Sequence, residues 1–189
     1  WGIRYNLAAG RRVNPLRRKP VWQKPHVLVV VDPHIRDGLP DDQKQRLTEF
    51  VQNRGLTMVE SKETLADAIR EKSPDLLYCM CHARPDALVL GDDEVSPTDL
   101  LEMLTGDDFD GGQRTGGLAF LNACQTAEGS SAGSFLDALY SFGFSGLVAT
   151  EEQTVDTFAN PFGLDFLEAF LDRGEPVGKI LQRLRGRVP

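Results

Sequence analysis

The stretch HVLVVVDP, residues 26–33, is a continuous run of mostly β-branched apolar residues that ends in Asp-Pro. A run without polar alternation predicts a strand that is buried on both faces of a parallel sheet. Four further short apolar runs follow it: LTMVE at 56–60, DLLYCMCH at 75–82, LAFLNA at 118–123 and SGLVAT at 145–150. Segments of helical periodicity separate the runs. The alternation predicts an α/β fold with three layers, in which helices cover both faces of a mostly parallel central sheet.

Helix signals lie between these strands. Asp41 and Ser61 are predicted to cap helices over 42–54 and 62–72, and Ser96 with Asp99 has the spacing of a capping box. Three further helices are predicted at 130–142, 157–174 and 176–187. Pro161, inside the second of these, is expected either to kink that helix or to mark its true start.

Charge divides the chain into a basic arm over 1–25, with seven Lys or Arg and no acid, and an acidic body over 26–189 with a formal charge of −14. The arm is expected to be irregular and to pack on the body or on an upstream domain. Nucleic acid is not expected as a partner, because no nucleic-acid motif accompanies the charge and the body repels phosphate. The first residue, Trp1, indicates a piece of a longer protein.

The composition is that of a globular domain, with 41% hydrophobic and 26% charged residues. Its apolar runs are too short to cross a bilayer, and no signal peptide is visible, so no membrane partner is expected. Three cysteines without regular spacing do not predict a disulfide framework. A reducing cytoplasm is therefore the predicted location, and no cofactor is expected.

Two reactive side chains follow the third and fourth predicted strands. His82 ends the third strand and Cys124 follows the fourth. The carboxyl ends of parallel strands meet at one edge, and neighbouring strands lie about 5 Å apart, so hydrogen-bond contact is expected. An imidazole beside a thiol deprotonates it and then protonates a leaving amine. The backbone N–H groups of Ala83 and Cys124 are the candidate oxyanion donors.

The sequences YCMCHA and LNACQTAEG, with His82 42 positions before Cys124, resemble the CHAT family of caspase-like cysteine proteases. The resemblance extends from about residue 26 through the last helix. It implies a caspase-type fold, with Cys124 as nucleophile and His82 as its partner. The family commonly has Gly where this chain has Ala83, which restricts the local backbone but keeps the N–H.

Relatives in this family include separase and bacterial proteases of antiphage defence. The resemblance therefore implies a regulated bacterial endopeptidase that cuts a protein substrate, such as a gasdermin-like or other effector protein. It also implies an upstream regulatory domain or an activating partner. A non-catalytic interaction module with the same fold is the alternative. A nucleotide- or flavin-binding domain is a third reading, which the absence of a Gly-rich turn after the first strand disfavours.

Acidic residues follow the fourth and fifth predicted strands, where the pocket for the substrate residue before the scissile bond is expected. They are Glu128, Glu151, Glu152 and Asp156. Acidic walls favour a basic substrate residue, because unlike charges attract across a dry contact. Asp156 is equally well placed to cap the following helix.

Two possible metal sites, one for zinc and one for calcium, have little support in the sequence. Cys79, Cys81 and His82 include zinc-ligand types, but Cys81 and His82 point to opposite faces of a strand, so both cysteines are expected in the core and no metal is predicted. The acidic segments GDDEVSPTD and TGDDFDGG lack the spacing of a calcium loop and are expected to be solvated loops.

Overall fold

The computed structural model describes residues 25–84, 86–106, 116–123, 134–150 and 155–186, and the backbone of 5–7. Within these ranges lie nine strands and seven helices. The strands are β1 (Tyr5–Leu7), β2 (Val27–Val31), β3 (Thr57–Val59), β4 (Leu76–Met80), β5 (His82–Arg84), β6 (Ala87–Leu90), β7 (Asp93–Val95), β8 (Gly117–Asn122) and β9 (Phe144–Thr150). The helices are α1 (Pro33–Gly38), α2 (Asp41–Arg54), α3 (Lys62–Glu71), α4 (Pro97–Thr105), α5 (Phe135–Phe142), α6 (Asp156–Leu171) and α7 (Val177–Arg185).

Six strands form the central sheet, in the order β1-β9-β8-β4-β2-β3. Every neighbouring pair is parallel except β1 with β9. The order places β4 and β8 side by side near the middle of the sheet. This is the mostly parallel α/β sheet that the sequence predicts, and it is consistent with a caspase-like three-layer fold.

The alternating side chains of β2 show why its apolar run is continuous. Val27, Val29 and Val31 pack on one face, against α1, α2, α6 and α7. Leu28 and Val30 pack on the other face, against α3, α4 and α5. All five are at most 3% exposed. A strand covered on both faces has no solvent side on which polar residues are favoured.

A second, antiparallel sheet of β5, β6 and β7 lies on the α3–α5 face. The side chains of Leu88, Leu90 and Val95 join this small sheet to the same hydrophobic core as those helices. The prediction of a solvated loop over 91–99 was wrong. These residues form the turn after β6, then β7, which pairs with β6, and then the start of α4. Strands of three or four residues contain too little alternation to be recognised from sequence.

The capping predictions are mostly confirmed. The Ser61 side chain accepts from the N–H of Thr64, and Ser96 pairs with Asp99 in a reciprocal capping box. The prediction for Asp41 was wrong by one residue, because α2 begins at Asp41 and Pro40 occupies the N-cap without a side-chain bond.

Pro161 lies inside α6, which begins five residues earlier at Asp156. A proline removes the N–H that would bond the carbonyl four residues before it, here that of Thr157. The Gln43 side chain, from α2, donates its Nε2–H to that carbonyl at 3.0 Å. A neighbouring helix thus supplies the donor that Pro161 lacks.

Part of the basic arm joins the sheet. β1 runs antiparallel to β9, with Tyr5 opposite Thr150. The expectation of an irregular arm was wrong for these three residues, while 8–24 lies outside the described residues.

Candidate active site

The strands that precede His82 and Cys124 are neighbours in the sheet, as predicted. β4 and β8 pair in parallel from Leu76 opposite Leu118 to Met80 opposite Asn122. His82 follows Met80 by two residues, and Cys124 follows Asn122 by two. Cys124 itself lies outside the described residues, so the distance between the two side chains stays a prediction.

The position of His82 differs from the expected one. β4 ends at Met80, the chain bends at Cys81, and His82 begins β5 of the small sheet, opposite Val89 of β6. His82 is exposed, whereas Cys81 before it is only 2% exposed. The bend therefore moves the chain from the buried centre of the main sheet to a solvent-facing edge, where the His82 side chain is exposed.

Ala83 is half-buried and packs against the core of the α3–α5 face. It is paired with Leu88 of β6. Its N–H as an oxyanion donor stays a prediction, as does that of Cys124.

The described residues leading to Cys124 are held from two sides. Asn122 donates its Nδ2–H to the Tyr78 hydroxyl at 3.0 Å and to the Ala159 carbonyl at 2.8 Å. The buried hydroxyl of Thr150 donates to the Ala123 carbonyl. Both Asn122 and Ala123 are 3% exposed. The end of β8 is thus fixed by the neighbouring strands and by α6.

A small cavity lies at this edge, between the ends of β4, β8 and β9 and the start of α6. Asp156 is on its wall, together with Cys81, Ala123 and Thr150. Its volume of about 10 Å³ suits a single water molecule and is too small for an amino-acid side chain. The cavity is therefore not a formed specificity pocket.

Asp156 is the first residue of α6 and is half-buried. The alternative that it caps this helix is wrong, because Val155 is the N-cap and no side-chain cap bond forms. The other three predicted pocket acids, Glu128, Glu151 and Glu152, lie outside the described residues.

Cys79 and Cys81 are core residues, as predicted, at 1% and 2% exposed. Burial raises the pKa of the Cys79 thiol to about 12, because an apolar environment disfavours the thiolate. No group of three or more metal-ligand side chains occurs in the part of the chain that the structure describes.

Sequence reasoning missed that buried polar residues close three of the parallel strands. Asp32 follows β2, Asn122 ends β8 and Thr150 ends β9, and each is at most 3% exposed. The signal was present in the runs VVVD, AFLN and LVAT, where one polar residue follows an apolar strand. Buried polar groups need partners, so these residues mark the edge where the fold is held by specific hydrogen bonds.

The sequence matches no family model and no curated protein. Every helix in the described ranges falls short of the length and apolar character needed to cross a membrane.

Proposed function

We propose that this protein is a cysteine endopeptidase of the caspase-like CHAT type, with His82 and Cys124 as its catalytic pair. The observation that carries the proposal is the pairing of Met80 with Asn122 at the ends of adjacent parallel strands. Both catalytic residues lie two positions beyond this one pair. The exposure of His82 supports the proposal, because a general base must be reached by the substrate.

The proposed reaction has two stages. His82 takes the proton of the Cys124 thiol, and the thiolate attacks the carbonyl carbon of the scissile peptide bond. The N–H groups of Ala83 and Cys124 stabilise the oxyanion. The His82 imidazolium then protonates the leaving amine as the C–N bond breaks, which leaves a thioester on Cys124. A water molecule deprotonated by His82 hydrolyses the thioester and releases the acid product and the free thiol.

The proposed substrate is an extended segment of a protein, with a basic residue before the scissile bond. Asp156 supports the charge preference, since it is half-buried beside the ends of β8 and β9. A half-buried carboxylate attracts a cation more strongly than a fully solvated one, because less water screens the pair. The proposed location is the cytoplasm, because three cysteines without regular spacing suit a reducing compartment. The proposed regulator is an upstream domain or a partner, because the resemblance implies regulated proteases.

Cleavage of a diverse peptide library tests the proposal, with the parent protein beside Cys124→Ala and His82→Ala variants. Cys79→Ala is the matched control, because it removes a buried thiol far from solvent. We expect cleavage by the parent and by Cys79→Ala, and a loss of at least a thousandfold in the other two. Equal cleavage by all four proteins would contradict the dyad. Silence from all four would leave either a protease that awaits its regulator or the non-catalytic interaction module.

A further inference from the structure

Asp32 is a buried acid that the proposed reaction does not use. It follows β2 at the carboxyl edge of the sheet and is 0% exposed. Its Oδ2 atom has no hydrogen-bond partner among the described residues. A buried carboxylate oxygen without a partner is costly, so its presence here calls for a compensating role.

The bonds of Asp32 join three separate elements. Its backbone N–H donates to the carbonyl of Met80, at the end of β4, at 2.9 Å. Its Oδ1 atom accepts from the N–H of His34 in α1 at 2.8 Å. The same oxygen accepts a longer bond of 3.4 Å from the N–H of Gly91, in the turn between β6 and β7. One residue thus ties the main sheet, a helix and the small sheet together.

Two of the partners of Asp32, Met80 and Gly91, lie on either side of His82 in the sequence. Met80 precedes His82 by two residues. Gly91 follows Val89 by two residues, and Val89 is the partner of His82 in the β5–β6 pairing. Asp32 therefore holds the strand that leads into His82 and the hairpin against which His82 is paired.

The Gly91 turn lies near Pro33, the residue after Asp32. Gly91 has φ of +62°, a conformation that other residues rarely adopt. A Cβ atom at this position would lie 3.5 Å from Cγ of Pro33. The turn therefore lies next to Pro33 while its N–H reaches the Asp32 carboxylate.

We propose that Asp32 is a positioning residue for His82, because it holds the β5–β6–β7 hairpin sheet against the main sheet. The expected effect of Asp32 on catalysis rests on the proposed peptidase function. The structural part does not, since it concerns only how β5 and β6 are held.

The test compares Asp32→Ala with Asp32→Asn in the whole chain. Asparagine keeps an Oδ1 acceptor for the N–H groups of His34 and Gly91, and alanine removes it. Hydrogen exchange by mass spectrometry reports on residues 82–90, with 57–71 as an internal reference. Steady-state cleavage of the best library peptide gives kcat and KM.

For Asp32→Ala we expect exchange in 82–90 to become at least tenfold faster while 57–71 is unchanged. We also expect kcat to fall at least tenfold with KM within twofold. Asp32→Asn should restore both to within about threefold of the parent. A role in general stability alone would accelerate exchange everywhere and would not give this split between kcat and KM.

Three results would overturn the proposal: unchanged exchange in 82–90, acceleration spread over the whole chain, or a loosened hairpin with unchanged kcat. A parent without peptidase activity would count against the proposed function alone, because the exchange rates still decide whether Asp32 holds the hairpin.

Discussion

Met80 lies opposite Asn122 in the last pair of the parallel ladder between β4 and β8. Each of these residues is followed, two positions later, by one of the two proposed catalytic side chains. Beyond this pair the chain from Met80 turns into a separate hairpin sheet at His82, while Ala123 is held by Thr150. The proposed site thus lies at the ends of β4 and β8. The pairing of these two strands aligns the two ends, and different contacts hold the residues that follow each end.

Thr150 fixes the carbonyl of the residue before Cys124. For Thr150→Val, which has a similar shape but no hydroxyl, we expect a loss of about 1–3 kcal/mol in the free energy of unfolding, because the buried Ala123 carbonyl loses its donor. The same change should lower kcat/KM by about tenfold or more, since small misplacements of reacting groups are costly. Urea unfolding and peptide cleavage measure the two effects. Thr150→Ser keeps the hydroxyl and should retain most of both, so an equal loss in Ser and Val would contradict the role.

Gly163 permits α6 to approach the sheet. A Cβ atom there would lie within van der Waals overlap of the Tyr78 hydroxyl and 2.9 Å from Nδ2 of Asn122. We expect Gly163→Ala to destabilise the protein by about 1–3 kcal/mol, because a packed core resists added volume. Gly178→Ala in α7 is the matched control, since a Cβ there has open space and should stabilise by about 0.5–1 kcal/mol. Thermal unfolding of both variants checks the contrast, and equal shifts would refute it.

Asp99 gives the stability of the protein a defined pH dependence. The Ser96 hydroxyl, then Lys62, and then the Ser96 N–H lower the pKa of the Asp99 carboxyl from 3.8 to about 2. Because the folded-state pKa lies below the unfolded one, the stabilisation is full above about pH 4 and is lost as the pH falls toward 2.

We therefore expect Asp99→Asn to cost about 1 kcal/mol at pH 7, a modest value because the side chain is a third exposed to screening solvent. The difference from the parent should shrink between pH 4 and pH 2 in urea titrations. The exposed acid Asp67 supplies the control Asp67→Asn, which should change little at either pH. A difference that is the same at pH 2.5 and pH 7 would rule out the capping carboxylate as its source.

Asp156 should contribute to substrate choice. For Asp156→Asn we expect kcat/KM on peptides with Lys or Arg before the scissile bond to fall about fivefold, which corresponds to about 1 kcal/mol of lost charge attraction. Peptides with an apolar residue there should be unaffected. Asp137, also in the first turn of a helix, provides the control Asp137→Asn. A library profile that is unchanged by Asp156→Asn would remove this acid from the pocket.

The long parallel strands could be predicted because each leaves a signal within its own stretch of sequence. β2, β4 and β8 are covered on both faces, and this burial leaves a continuous apolar run in the sequence. The adjacency of β4 and β8 follows from the tendency of sequential strands to be neighbours. The predicted N-cap at Ser61 and the predicted capping box at Ser96 are likewise local, since each involves four consecutive residues.

The features that were missed depend on contacts between distant residues. β5 and β7 have three residues each and are strands only because β6 lies between them. The partners of Asp32 and Thr150 are residues up to 59 positions away, which no spacing rule predicts. The displacement of His82 from the end of β4 to the start of β5 has the same origin. The sequence therefore predicts which sheet edge carries the proposed site, and the tertiary contacts determine how the described residues of that edge are held.

Alkylation of the three cysteines by iodoacetamide, followed by mass spectrometry across pH, tests the His82–Cys124 pair most directly and needs no substrate. Cys79 and Cys81 are almost fully buried and should stay unmodified in the native protein. In the parent, Cys124 should be alkylated at pH values well below the ordinary range for thiols, because a neighbouring imidazolium stabilises the thiolate. In His82→Ala, Cys124 should return to the profile of an ordinary thiol. The same pH profile for Cys124 in the parent and in His82→Ala would contradict the catalytic pair.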